Sequence, residues 1–134
     1  MTRVFVDTSA LIAFLDADDP RHAALVTTFA ELASDELVTH GYVVAEALAV
    51  TRRRLGLEAT IALLDELLPV IELLPVDTGL HAAAQQSYRA SLPSGTSFVD
   101  QVSFGVIQRE GITKAFVLDA DFAATGVELL PGEG

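Results

Sequence analysis

The stretch RVFVDTSALIAFL (residues 3–15) carries two periodicities on either side of one carboxylate. Val4, Phe5 and Val6 make the short unbroken apolar run of a strand buried on both faces. Leu11, Ile12, Phe14 and Leu15 recur at helical spacing. A strand that passes straight into a helix is the opening unit of an α/β fold. Asp7 stands at the junction, where an unpaired charge is costly, and that cost calls for a partner.

Outward from this unit the pattern repeats. In DADDPRHAALVTTFAELAS (16–34), Asp19 can cap a helix and Pro20 fits its first turn. Residues 37–39 make a short strand candidate, followed by helices over about 41–55 and 58–68, the second broken by Pro69. VIELLPV (70–76) reads as a clear strand, and Asp77 or Thr78 caps a helix running to Tyr88. SLPSGTS (91–97) is a loop; residues 98–109 return to helical spacing, 115–118 form a strand and 127–130 a last short one. Strands separated by helices need crossover connections. The expectation is therefore one α/β domain over residues 1–134, with a central, mostly parallel sheet and helices on both faces.

Composition agrees. A chain of 134 residues suits one domain, and 51% hydrophobic against 20% charged residues describes a globular protein. Cysteine is absent, which excludes disulfides and thiolate metal sites. Nineteen acidic and eight basic residues give a net charge of −11, which argues against nucleic-acid binding by bulk electrostatics but not against holding cations. No apolar run approaches the roughly 18 residues of a membrane helix, so a cytoplasmic protein is expected.

Three acids are isolated from other charges. Asp7 is the only charged residue between Arg3 and Asp16, Glu46 the only one between Glu36 and Arg52, and Asp100 the only one between Arg89 and Arg109. A helical wheel puts Glu46 on a stripe with Tyr42, Val43 and Val50, which reads as core-facing. Asp100 falls in the first turn of its helix, while Asp119 ends the strand AFVL, with Asp121 two residues on. Ligands of open α/β sheets bind beyond the carboxyl ends of strands, where Asp7 and Asp119 both stand. If the two helices turn their stripes inward, four carboxylates converge and must take up protons or hold a cation. Oxygen donors without cysteine or paired histidine select Mg²⁺ or Mn²⁺.

VFVDTSAL (4–11), the glutamate of YVVAEAL (42–48), SFVDQVSF (97–104), and VLDADF (117–122) followed by GVELLP (126–131) resemble, in order, the motifs of PIN-domain ribonucleases, in particular VapC-type toxins of bacterial toxin–antitoxin pairs. The resemblance implies a PIN-like fold and a Mg²⁺- or Mn²⁺-dependent endoribonuclease that activates water against an RNA phosphodiester. In-line attack would leave a 5′-phosphate and a 3′-hydroxyl. Asp7, Glu46 and Asp100 match the family's principal acids; Asp119 is the choice for the fourth, a role Asp121 could share or take over. Thr8 is a supporting residue that could orient Asp7 or a water, and Ser97 a weaker one. The implied partners are RNA, such as tRNA or another structured RNA, a small cognate VapB-type antitoxin, and a second copy in a homodimer.

Each acid also has an ordinary structural role to weigh. Asp7 and Asp119 could be caps, Glu46 could pair with Arg52 or Arg53, and Asp100 could complement a helix dipole. Arg52, Arg53 and Arg54 suit a helix C-terminus and form the only basic cluster, which makes them RNA-phosphate candidates. Asp16, Asp18 and Asp19 read as a solvated helix start. His22, His40 and His81 lack ligand spacing, and Gly105 reads as a mark of close helix packing. The alternatives to a nuclease are a receiver-like phosphoacceptor domain, disfavoured because Lys114 precedes its strand, and a non-catalytic module that keeps the fold.

Overall fold

A computed structural model describes residues 2–132, so the first residue and the last two of the expected domain lie outside the described residues. Five strands, β1 (Arg3–Val6), β2 (Glu36–His40), β3 (Ile71–Leu74), β4 (Lys114–Phe116) and β5 (Glu128–Leu130), form one sheet in the order β3-β2-β1-β4-β5. Every pairing is parallel, including the last, so the sheet is wholly parallel. β1 is central: Phe5 lies opposite Val38 on one side and Ala115 on the other. This explains its unbroken apolar run, with Val4, Phe5 and Val6 at most 1% exposed.

The connections carry α1 (Thr8–Leu15) and α2 (His22–Glu31) between β1 and β2, and α3 (Gly41–Arg54) and α4 (Leu57–Ala62) between β2 and β3. The chain then reverses direction across the sheet. α5 (Thr78–Ala90) and α6 (Phe98–Glu110) lead back past β2 and β1 to β4. Parallel crossovers are right-handed, so the reversal sends α5 and α6 to the face opposite α1–α4. Phe5, Phe116 and Phe122 are among the largest fully buried side chains, and the rings of Phe5 and Phe122 stack at 6.2 Å. Burial of each such ring contributes roughly 1.5–3 kcal/mol.

Several expectations shift in detail. α2 begins at His22 rather than at Pro20; Asp19 accepts from the Arg21 amide at 2.7 Å and so closes a tight turn before the helix. The helix expected over 58–68 stops at Ala62, then widens into a π turn (Leu63–Leu67) and tightens into a 3₁₀ turn (Leu68–Val70) that accommodates Pro69. β3 ends at Leu74 because Pro75 has no amide for the ladder. The 91–97 loop contains a 3₁₀ turn (Leu92–Ser94), and β4 ends at Phe116, short of the expected Leu118. Asp119 consequently caps a 3₁₀ segment (Ala120–Thr125) instead of ending a strand.

Candidate active site

The strand order reverses between β1 and β4, and Asp7 and Asp119 follow these two adjacent strands. Such a switch point leaves a crevice at the carboxyl edge of the sheet, because the outgoing connections part to opposite faces. A cavity of about 450 Å³ lies there, and Asp7, Glu46, Asp100 and Asp119 all line it.

Asp7 is 4% exposed. One of its oxygens accepts from the amide of Ser9 at 3.1 Å and from the Ser9 hydroxyl at 2.7 Å, so Asp7 caps α1 and is held in one orientation. Ser9 Oγ accepts in turn from the Leu118 amide at 3.0 Å, tying the mount of Asp7 to the segment that carries Asp119. Burial raises the pKa of Asp7 against the lowering effect of the Ser9 bonds, and Glu46 raises it further. Ser9, then, is the orienting hydroxyl; that of Thr8 is buried with no hydrogen-bond partner on the cavity wall. The sequence reading assigns the orienting role to Thr8; the bonds to Asp7 come from Ser9 instead.

Ser97 caps α6, accepting from the Asp100 amide at 3.1 Å, and also lines the cavity. Asp100 is pushed up to about 7, first by burial and then by the charges of Asp7 and Asp119, with a side-chain hydrogen bond to Asp119 favouring the protonated form and Glu46 adding to the shift. A carboxyl that keeps its proton near neutrality beside three other acids is what crowding of like charges produces. Asp119 also accepts from the Asp121 amide at 2.9 Å. Asp121 itself is exposed and does not line the cavity.

Glu46 does not face the core. The buried side of α3 is Val43, Ala47 and Thr51, and Glu46 sits beside it, on a ridge with Val50 and Arg54 that forms a cavity wall. Arg54 thus borders the acids, whereas Arg52 and Arg53 are exposed and outside the wall. Asp19 and Arg21 line the cavity as well. The sequence reading missed both, since an acidic run before a helix looks solvated; the signal was the proline between them, which fixes the turn.

The donor set fits a hard divalent cation: carboxylates, hydroxyls and backbone, with no imidazole or thiol on the wall. Thr8 Oγ1 supplies a buried oxygen that needs a partner. Among the described residues no three His, Cys, Asp or Glu side chains already stand in chelating geometry. Lys114 begins β4 at the far edge of the sheet, paired with Val4, so a receiver-type lysine is not built into this pocket.

The sequence profile of the family described as PIN domain matches residues 4–128. A 23S rRNA-specific endonuclease, VapC20 of Mycobacterium tuberculosis, is 32% identical over 130 residues, spanning 96% of this chain and 98% of its own length. Ribonuclease VapC26 of the same species is 44% identical over 64 residues, covering 48% of this chain and 47% of that one. Among solved structures, VapC20, described as a sarcin–ricin loop cleaving toxin, superposes with a TM-score of 0.83 at 31% identity, over 93% of this chain and 96% of that one. FitAcB of Neisseria gonorrhoeae shares the fold, with a TM-score of 0.70 at 18% identity over 94% and 95% of the two chains.

Proposed function

Because the chain belongs to the PIN-domain family, we propose that it is a Mg²⁺- or Mn²⁺-dependent endoribonuclease and the toxin of a VapBC-type toxin–antitoxin pair. The observation that carries this reading is the meeting of Asp7, Glu46, Asp100 and Asp119 in one cavity at the switch point.

Asp7, Asp100 and Asp119 are the residues to hold the ion, with Glu46 binding directly or through water. When bound, the cation lowers the pKa of a coordinated water and offsets charge developing on the phosphate. The protein's own part is orientation. The rigid end of β1 and the two Ser9 bonds fix the Asp7 carboxylate, and the Ser97 cap fixes the first turn from which Asp100 projects. Asp100 must surrender its proton for the set to act as oxygen donors, so occupancy should rise with pH through about 7. Hydrolysis of this kind uses water and needs no 2′-hydroxyl nucleophile, leaving a 5′-phosphate.

The similarity to a 23S rRNA-specific relative over nearly the whole chain makes a structured ribosomal RNA loop the first substrate to try. A cytoplasmic homodimer neutralised by a small antitoxin completes the proposal. Exposed Leu57, Ile61 and Leu64, on α4 and the turn after it, offer an apolar face for such a partner, and no helix among the described residues is long and apolar enough to cross a membrane.

Purified protein incubated with a sarcin–ricin hairpin and Mg²⁺ is expected to cut it, with 5′-phosphate ends found on sequencing. EDTA should stop the reaction. Asp7→Asn should keep the circular dichroism spectrum of the fold and lose cleavage at least a hundredfold, on the order of removing one preorganised group from a charged site. Undiminished cleavage by folded Asp7→Asn overturns the assignment.

A further inference from the structure

An acidic protein that cuts RNA has to admit a phosphodiester into a cavity walled by four carboxylates. We propose that Arg21 and Arg54 form a two-sided clamp for the RNA phosphates entering this cavity, with Asp19 as the positioning residue for Arg21; the proposal rests on the nuclease reading above.

Among the described residues these two guanidinium groups are the only basic side chains on the cavity wall, and they arrive from separate elements: Arg21 from the turn before α2, Arg54 from the end of α3. Their settings differ. Arg21 donates to Asp19 through Nε at 3.1 Å and Nη2 at 3.2 Å, while the backbone amide of Arg21 bonds the same carboxylate at 2.7 Å. Pro20 fixes the backbone between them. This brace leaves Arg21 half exposed with donors to spare, whereas the Asp19 side chain is 16% exposed and already committed. Asp19 is held below the usual carboxylate range by these bonds and Arg21 is raised, so the pair stays charged.

Arg54 has no hydrogen-bonded or ion-paired partner among the described residues. Its place, two helical turns beyond Glu46 with Val50 between, puts an exposed cation, unpaired among the described residues, on the same ridge as Glu46. A fork of N–H donors matches phosphate oxygens in a way an ammonium does not, so lysine should substitute poorly at the braced position. The division of labour that follows is a preset contact for binding at Arg21 and an adjustable one at Arg54.

The test uses Asp7→Asn protein and a fluorescein-labelled RNA hairpin, read by anisotropy over a salt series. Arg21→Ala and Arg54→Ala are each expected to weaken binding roughly ten- to hundredfold and to flatten the logarithmic salt slope by about 0.7. Asp19→Ala should weaken binding less than Arg21→Ala, and Arg21→Lys should recover less than half of the loss in logarithmic terms. In the Asp7 protein, Arg54→Ala should lower kcat more than it raises KM, and Arg21→Ala the reverse. Binding unchanged by both arginine variants overturns the clamp while cleavage by the unsubstituted chain still stands for the nuclease. Equal losses on Arg53→Ala also overturn it, since they would assign the effect to bulk charge. Arg-dependent capture of a poly-glutamate peptide with no Arg-dependent RNA binding would make the pair a carboxylate site and overturn it too. Failure of the unsubstituted chain to cut any RNA would count against the nuclease reading, and the binding series would then decide the clamp alone.

Discussion

At the scale of single residues, the proton on Asp100 sets the terms. Its carboxyl is at about 7 in the fold against 3.8 as a free side chain, so the folded state binds the proton more tightly. The associated stability is present in acid and is lost as pH rises from about 4 through about 7. Asp100→Asn should therefore raise the unfolding temperature of the EDTA-treated protein distinctly at pH 8 and hardly at pH 4. A gain equal at both values would show that charge crowding is not its source. Added Mg²⁺ should reverse the order at pH 8 by stabilising the parent chain more than the variant. The isolation of Asp7, Glu46 and Asp100 in apolar sequence was the legible part of this site. Arg21 and Ser9 were not legible, because one looked like part of a solvated turn and the other was passed over for its neighbour Thr8. Their roles depend on which wall the turn faces and on a bond to Leu118 that no local pattern contains.

At the scale of elements, His40 shows how an unusual residue can start a helix. At the end of β2 its Nδ1 accepts from the Tyr42 amide at 3.2 Å and the Val43 amide at 3.4 Å. Nε2 and the Ser103 hydroxyl lie 2.8 Å apart. Because Ser103 donates to the Val99 carbonyl at 3.0 Å, Nε2 must carry the proton and Nδ1 none. Burial lowers the imidazole to about 4, so the fold keeps it neutral while the unfolded chain protonates from 6.5 downward. Stability contributed by neutral His40 is complete above pH 6.5 and falls by on the order of 3 kcal/mol as pH drops through about 4. His40→Asn keeps a capping oxygen, so its deficit against the parent in denaturant unfolding should shrink between pH 6.5 and 4. On α6, a Cβ added at Gly105 would meet Leu80 of α5 at 3.5 Å, an ordinary contact. Close packing therefore does not require this glycine, and Gly105→Ala should stabilise by up to about 1 kcal/mol, seen as a higher unfolding temperature. Element types followed readily from periodicity; the π and 3₁₀ turns around Pro69 did not, since they depend on fitting the chain to β3.

At the scale of the whole molecule, parallel strands and alternating helices could be read from the sequence, but strand order could not. That order turns four separate carboxylates into neighbours, because only the reversal between β1 and β4 opens the crevice they line. A charge of −11 is then compatible with the proposed RNA substrate if Arg21 and Arg54 on the cavity wall act as the proposed clamp. The bond from Leu118 to Ser9 spans 109 residues of sequence, and β1 waits for β4 to become a central strand. During synthesis the four crowded carboxylates emerge in the order Asp7, Glu46, Asp100 and Asp119, the last of them 112 residues after the first. A growing polypeptide of this topology therefore holds no assembled four-acid crevice until β4 has left the ribosome and docked beside β1, so the charge crowding that lifts Asp100 arises only after the sheet has closed.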